Sequence, residues 1–187
     1  MTLLGPDGIS RCAWGNSSPD YAEYHDKEWG VPLRGEQALF ERLSLEAFQS
    51  GLSWIVILRK RDAFRRAFAD FDPAVIADFT DADVTRLLAD AGIVRNRLKI
   101  QATIRNARAV ATLEEPLDDL LWSFAPESSP RPRTMEDVPA ITPESRAMAK
   151  ALKKLGFAFV GPTTCYALMQ ATGMVDDHIA PCFRAVG

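Results

Sequence analysis

The chain has 187 residues, about half of them apolar and a quarter charged, with 22 Lys+Arg against 25 Asp+Glu and a net charge of −3. That mix excludes a disordered or fibrous protein and predicts one domain, residues 1–187, with a cleft between two helical lobes. No apolar run approaches the ~18 residues of a membrane span, and the start MTLLGPDGIS lacks the basic-then-apolar build of a signal peptide, so a cytoplasmic protein without a membrane partner is expected. The small acidic excess excludes a histone-like, charge-driven coat on DNA, and taken alone it argues against nucleic acid.

In chain order, Glu36 to Ser50 places Leu39, Leu43, Glu46 and Ser50 on one helical stripe, with Phe40 and Ala47 beside it. Gly51 is placed to end that helix and Ser53 to cap the next, which carries Trp54, Ile57, Leu58, Phe64 and Phe68. Thr80 and Asp83 read as a capping box for a helix with Val84, Leu87, Leu88 and Ala91, closed by Gly92. A further helix starts near Arg97, with Ile100, Ile104, Ala107 and Ala111 on one side. Thr142-Pro143 is a cap followed by proline at the first helical position, for a helix ending at Gly156. Phe157 to Val160 is too short to classify, and Thr163 or Thr164 is placed to open a last helix to Gly173. Ser128 to Arg133 reads as irregular loop. The predicted architecture is all-α.

Three cysteines in a reducing compartment argue against a disulfide framework and toward free thiols or metal ligands. The two histidines, His25 and His178, each have a cysteine within reach in sequence, Cys12 and Cys182. Two thiolates and two imidazoles form a tetrahedral zinc set, and one ion there would clip the two ends of the chain together. Four unrelated core and loop residues would have the same spacing, since neither pair shows a short C-x-x-C. Cys165 is left over. A rival use pairs His25-Asp26 with Asp177-His178, as in metal-dependent phosphohydrolases of all-α build, but such sites usually want more histidines.

Ala91 to Lys99 lies between two predicted helices with Gly92 at the turn. From Ala91 to Val110 there are five basic residues, Arg95, Arg97, Lys99, Arg105 and Arg108, and no acidic one. Such a hairpin presents backbone N–H groups to a phosphate, and the adjacent cations add charge, so local charge contradicts the net charge. Gly92, Ile93, Val94, Arg95, Arg97 and Lys99 are the expected contacts to a DNA backbone. Arg59-Lys60-Arg61 with Arg65 and Arg66 contains Asp62 and reads as a solvated helix face.

Trp14, Tyr21, Tyr24 and Trp29 crowd the N-terminal region, and Trp54 follows the helix of Glu46. Stacking platforms for a nucleobase, above all a cationic one, need such residues, as does an ordinary core. Glu46 sits on an inward stripe with no cation assigned to it, and an unpaired inward carboxylate marks a site.

Together these stretches resemble the 3-methyladenine DNA glycosylase I family of the helix–hairpin–helix superfamily. The matching segments are Arg11-Cys12-Ala13-Trp14, Tyr24 to Pro32, Leu45-Glu46 with Gln49 to Trp54, Ala91 to Arg95, Lys153 to Phe157, and Phe159-Val160-Gly161 onward to His178. The resemblance implies the glycosylase fold with a zinc site joining the N- and C-terminal segments, and one structural Zn²⁺ on Cys12, His25, His178 and Cys182. It implies a base pocket of Glu46, Tyr24 and Trp54 with Tyr21 and Trp14 nearby. It further implies a monomeric enzyme that flips 3-methyladenine out of alkylated double-stranded DNA, hydrolyses its glycosidic bond and releases the free base. The family lacks the activating aspartate typical of its superfamily, and Asp176 stands where asparagine is common. A metal-dependent phosphohydrolase and a non-catalytic helix–hairpin–helix DNA-binding module are the alternatives.

Overall fold

Seven consecutive residues of one helix, Arg42 to Phe48, are buried, and that helix is the axis of the molecule. It belongs to a computed structural model that describes residues 2–184. A helix buried on every side is central rather than amphipathic, so its apolar surface is wider than the single stripe expected from the sequence.

A short antiparallel hairpin, β1 (Thr2–Leu4) with β2 (Ser10–Cys12), comes first, with Leu3 opposite Arg11. It departs from the all-α expectation, and two three-residue strands carry too little alternation to be read as strands. Nine α-helices follow among the described residues: α1 Pro19–Lys27, α2 Glu36–Gln49, α3 Trp54–Ala67, α4 Pro73–Ala77, α5 Asp81–Ala89, α6 Arg97–Val110, α7 Leu117–Trp122, α8 Pro143–Lys154 and α9 Pro162–Ala171. Three were not anticipated. Two of these open on a cap followed by proline at N1, α1 through Ser18-Pro19 and α4 through Asp72-Pro73.

The capping boxes of α5 (Thr80 with Asp83) and α8 (Thr142 with Ser145) form as their sequences require. Gly51 stops α2 with a φ of 79°, a conformation that costs a residue with a Cβ. Ser53 occupies the N-cap position of α3, but its side chain makes no capping bond; the Tyr21 hydroxyl accepts from Ile55 N–H instead, at 3.0 Å. Helix α5 ends at Ala89, before Gly92, and α9 starts at Pro162 rather than at Thr163 or Thr164.

Buried side chains from Tyr24 to Val175 form one continuous core around α2, against which α3, α6, α7 and α9 pack. A smaller apolar cluster joins Cys12 to Ile179 and Cys182. There the chain ends meet: Phe183 N–H donates to Ser10 O at 2.8 Å. Among the described residues, no helix is long and apolar enough to cross a membrane.

Candidate active site and its surroundings

Helix α2 delivers Glu46 to the floor of a cleft of about 250 Å³. Its walls include Trp14, Tyr21, Tyr24, Trp29 and Trp54, which gathers the predicted base-binding aromatics and adds Trp29. Trp14 is the hub, packed edge-on against Tyr21 at 5.6 Å and Trp29 at 5.0 Å between centroids. Tyr24 and Trp54 lie 5.5 Å apart with their planes tilted by 41°. These rings pack on one another as a continuous wall, so a purine stacks on the faces they turn to the cleft, and a cationic one gains further from their quadrupoles.

Glu46 is 5% exposed and accepts no hydrogen bond among the described residues. Burial pushes its carboxyl up to about 7, against a smaller opposing pull from Arg42 one turn earlier. The Arg42 guanidinium is committed elsewhere, donating to the Tyr24 hydroxyl at 2.8 Å and lying 5.3 Å from the Trp54 ring centre. The cleft thus holds a carboxylate with open acceptor capacity, and the Trp54 indole N–H beside it is buried without a partner. Such a site suits a flat cation that carries N–H donors.

The opposite side of the cleft was not foreseen. Ala167 and Gln170 come from α9, Asp177 from the segment after it, and Met135 and Val138 from the Pro-rich stretch that reads as loop. Gln49 lies three residues beyond Glu46 on the same helix face, and that spacing, with its place in the matching segment Gln49 to Trp54, was the signal for it.

At the meeting of the chain ends, donor atoms of Cys12, His25 and Cys182 lie within 4.8 Å of one another. Cys182 Sγ is 3.4 Å from His25 Nε2, and hydrogen bonds from the neighbouring Cys12 thiol and from His25 hold the Cys182 thiol well below the usual thiol range. His178 falls outside that tight trio, with its ring centre 5.1 Å from that of His25. Both imidazoles turn Nδ1 to a carboxylate, His25 to Asp26 at 2.8 Å and His178 to Asp176 at 2.9 Å. That leaves each Nε2 as the acceptor nitrogen: His25 turns it to Cys182 Sγ, and Nε2 of His178 is buried with no partner. Gly30 leaves room for the ring: a Cβ there would stand 2.6 Å from Cε1 of His178. Cys165 is buried apart from this cluster, in α9.

The basic hairpin divides into two sets. Arg95 and Arg97 are exposed and unpaired among the described residues. Lys99 departs from the expectation that it faces a DNA backbone: it is 7% exposed, and its ammonium donates to Phe48 O at 2.8 Å and Ser50 O at 2.6 Å. Its position in the first turn of α6 brings it to the end of α2, whose last carbonyls need donors. Arg105 and Arg108 do similar work, on Gly156 O and on the carbonyls of Ala77 and Phe79. Ile93 is buried, Val94 half-buried, and Gly92 packs against Ala63 of α3, where a Cβ would sit at 3.0 Å. Lys60 steadies the turn by donating to the carbonyls of Ala91 and Gly92. In the same cluster Arg59 pairs with Asp20, Arg61 with Glu28 and Arg65 with Glu41. A second tight turn, from Leu155 to Gly161, joins the packed helices α8 and α9 and is flanked by exposed Lys153 and Lys154.

A helical body with an aromatic cleft that holds two buried carboxylates, Glu46 and Asp177, has the architecture of a protein that binds a flat base. Residues 14–185 match the profile of the methyladenine glycosylase family, and the chain belongs to that family. It is 48% identical over 180 residues to DNA-3-methyladenine glycosylase 1 of Escherichia coli (strain K12), covering 93% of this chain and 96% of that one. A crystal structure of 3-methyladenine DNA glycosylase I superposes with a TM-score of 0.89 at 49% identity, covering 92% of this chain and 98% of the other. A variant of 3-methyladenine DNA glycosylase I solved in complex with 3-methyladenine gives 0.88 at 33% identity, over 95% and 98%.

Proposed function

We propose that this chain is a base-excision repair glycosylase that flips 3-methyladenine out of alkylated duplex DNA and hydrolyses its glycosidic bond, releasing the base and leaving an abasic site. Methylation at N3 makes the adenine cationic, which weakens its bond to the sugar and makes it a better leaving group. Extrusion costs a few kcal/mol, least for damaged pairs. Trp14, Tyr21, Tyr24 and Trp54 stack on the flipped base, and Glu46 accepts its N–H groups. The observation that carries this reading is Glu46 itself: buried in the aromatic cleft, with no hydrogen bond from the protein. A neutral purine would leave that charge uncompensated. Incubation of purified protein with methylated DNA is expected to release 3-methyladenine, and Glu46→Gln to lower the rate at least ~10²-fold. Failure of the wild-type protein to release the base overturns the reading.

The cysteine and histidine cluster is read as a structural Zn²⁺ site, with Cys12, His25, His178 and Cys182 as ligands. The donor set suits zinc, the Nδ1–carboxylate contacts of both histidines are those of metal-bound imidazole, and the unpartnered Nε2 of His178 lacks any other use. With four protein ligands the ion has no open position, so it serves folding by clipping the chain ends together. A phosphohydrolase would use the acids beside the histidines as ligands, whereas Asp26 and Asp176 hold the rings from outside and Asp177 faces the cleft.

The DNA backbone is read as lying across two helix–hairpin–helix units, α5–α6 with Arg95 and Arg97, and α8–α9 with Lys153 and Lys154. That supports placement in the helix–hairpin–helix superfamily. A non-catalytic binding module has no use for the cleft. One chain supplies both cleft walls, which supports a monomer, and three free cysteines among the described residues support a reducing, cytoplasmic setting.

A further inference from the structure

We propose that Asp177 is a second functional carboxylate of this cleft, one that faces the sugar and the attacking water rather than the base. The inference rests on the glycosylase reading above. Asp177 is 5% exposed and follows α9. Two side chains about one turn apart on that helix hold the same oxygen, with Tyr166 Oη donating to Oδ2 at 2.7 Å and Gln170 Nε2 at 2.8 Å. The other oxygen, Oδ1, accepts no hydrogen bond among the described residues. The carboxylate is therefore fixed through one oxygen and keeps the other as an unused acceptor.

Its location gives that acceptor a task. Asp177 borders the aromatic cleft and also a second cavity of about 550 Å³, formed by the Pro-rich stretch with Thr142 and Tyr166. A flipped purine fills the first cavity and shuts water out of it. The second still reaches Asp177, so water has a route to this carboxylate while the base is bound. Glu46 cannot serve the same purpose, because its oxygens are engaged with the base.

In the step itself the bond from C1′ to N9 breaks, and its electron pair goes to N9, neutralising the cationic base. Positive charge develops on the sugar, and the oxygen of a water forms the new bond to C1′. The proton that this water loses passes through water in the second cavity to solvent. Asp177 takes no proton from this water and so is not the activating aspartate of the superfamily. It accepts a hydrogen bond that orients the water and places fixed negative charge where the sugar becomes positive. Preorganised groups of this kind act on the transition state more than on the bound substrate. Tyr166 and Gln170 are positioning residues, acting through Asp177.

Asp177→Asn keeps shape and volume, and its carbonyl oxygen still receives Tyr166 and Gln170. Single-turnover release of 3-methyladenine from methylated DNA is expected to slow about 10²-fold. The dissociation constant for free 3-methyladenine, the zinc content per chain and the melting temperature are expected to stay unchanged. A folded variant with a rate within threefold of wild type overturns the proposal. So does a loss of base affinity as large as the loss of rate, which assigns Asp177 to recognition. Should Asp177→Asn fail to fold, Tyr166→Phe, which retains the buried ring, gives the second reading. It is expected to lower kcat several-fold at unchanged KM, and an unchanged kcat overturns the proposal. A wild-type protein that binds 3-methyladenine but releases none from DNA instead takes down the glycosylase reading.

Discussion

The ammonium of Lys99 lies 2.8 Å from the carbonyl oxygen of Phe48, and so closes the helix that carries Glu46. A buried cation feeding two otherwise open carbonyls stabilises the fold by about 1–3 kcal/mol, since its loss leaves acceptors buried and unmet. Lys99→Met is therefore expected to lower unfolding free energy by that amount in urea titrations, at unchanged m. The salt dependence of DNA binding should not move, because this charge does not touch phosphate.

Arg95 and Arg97 should behave oppositely. Both are exposed and unpaired among the described residues, so the double alanine variant is expected to unfold within ~0.5 kcal/mol of wild type. Removing one cation from a phosphate lowers the slope of log K against log salt by about 1. A titration of duplex binding between low and moderate salt checks this, and the slope is expected to fall by about 2 for the pair.

This contrast shows what was legible in the chain. An acid-free run from Ala91 to Val110 marks a basic segment, but the pattern cannot separate cations that meet water from cations that meet carbonyls. The partners of Lys99, Arg105 and Arg108 are backbone oxygens, which every residue has and no sequence pattern marks. Caps were readable where the motif is local, at Thr80 with Asp83 and at Thr142-Pro143. Glu46 was readable because a charge on an apolar stripe is a local contradiction. Asp177 and Met135 were not, since they reach the cleft only through packing between segments distant in sequence. In the sequence Asp177 stands beside His178, where an acid next to a histidine reads as part of a metal site.

Metal removal separates structure from chemistry. One zinc per chain is expected by elemental analysis, and chelation should lower the melting temperature by ten degrees or more. Cys165→Ser should retain the ion, because that thiol lies apart from the cluster. Gly30→Ala should lose it or hold it weakly, because the added methyl group meets the imidazole of His178 and the glycine φ of 77° strains any other residue. Metal content measured on purified variants decides each case.

Glu46 stabilises the complex with its substrate at the expense of the free protein. Its carboxyl is held near 7 in the fold against 4.5 unfolded, so the native state binds the proton more tightly. Ionising it costs nothing extra below about 4.5, progressively more as pH rises toward 7, and the full amount above that. A shift of this size corresponds to about 3 kcal/mol of stability lost at pH 8 relative to pH 4 through this one group. Glu46→Gln removes the titration and keeps the shape. It is therefore expected to unfold at higher urea than wild type at pH 8, with the difference shrinking steadily as pH is lowered toward 5. The same variant should bind free 3-methyladenine more weakly, because the glutamine amide presents only one acceptor oxygen to the base. Urea midpoints of both proteins across that pH range test the argument. A Glu46→Gln variant that is less stable at pH 8 than at pH 5, relative to wild type, would mean that the carboxylate has a partner in the free protein.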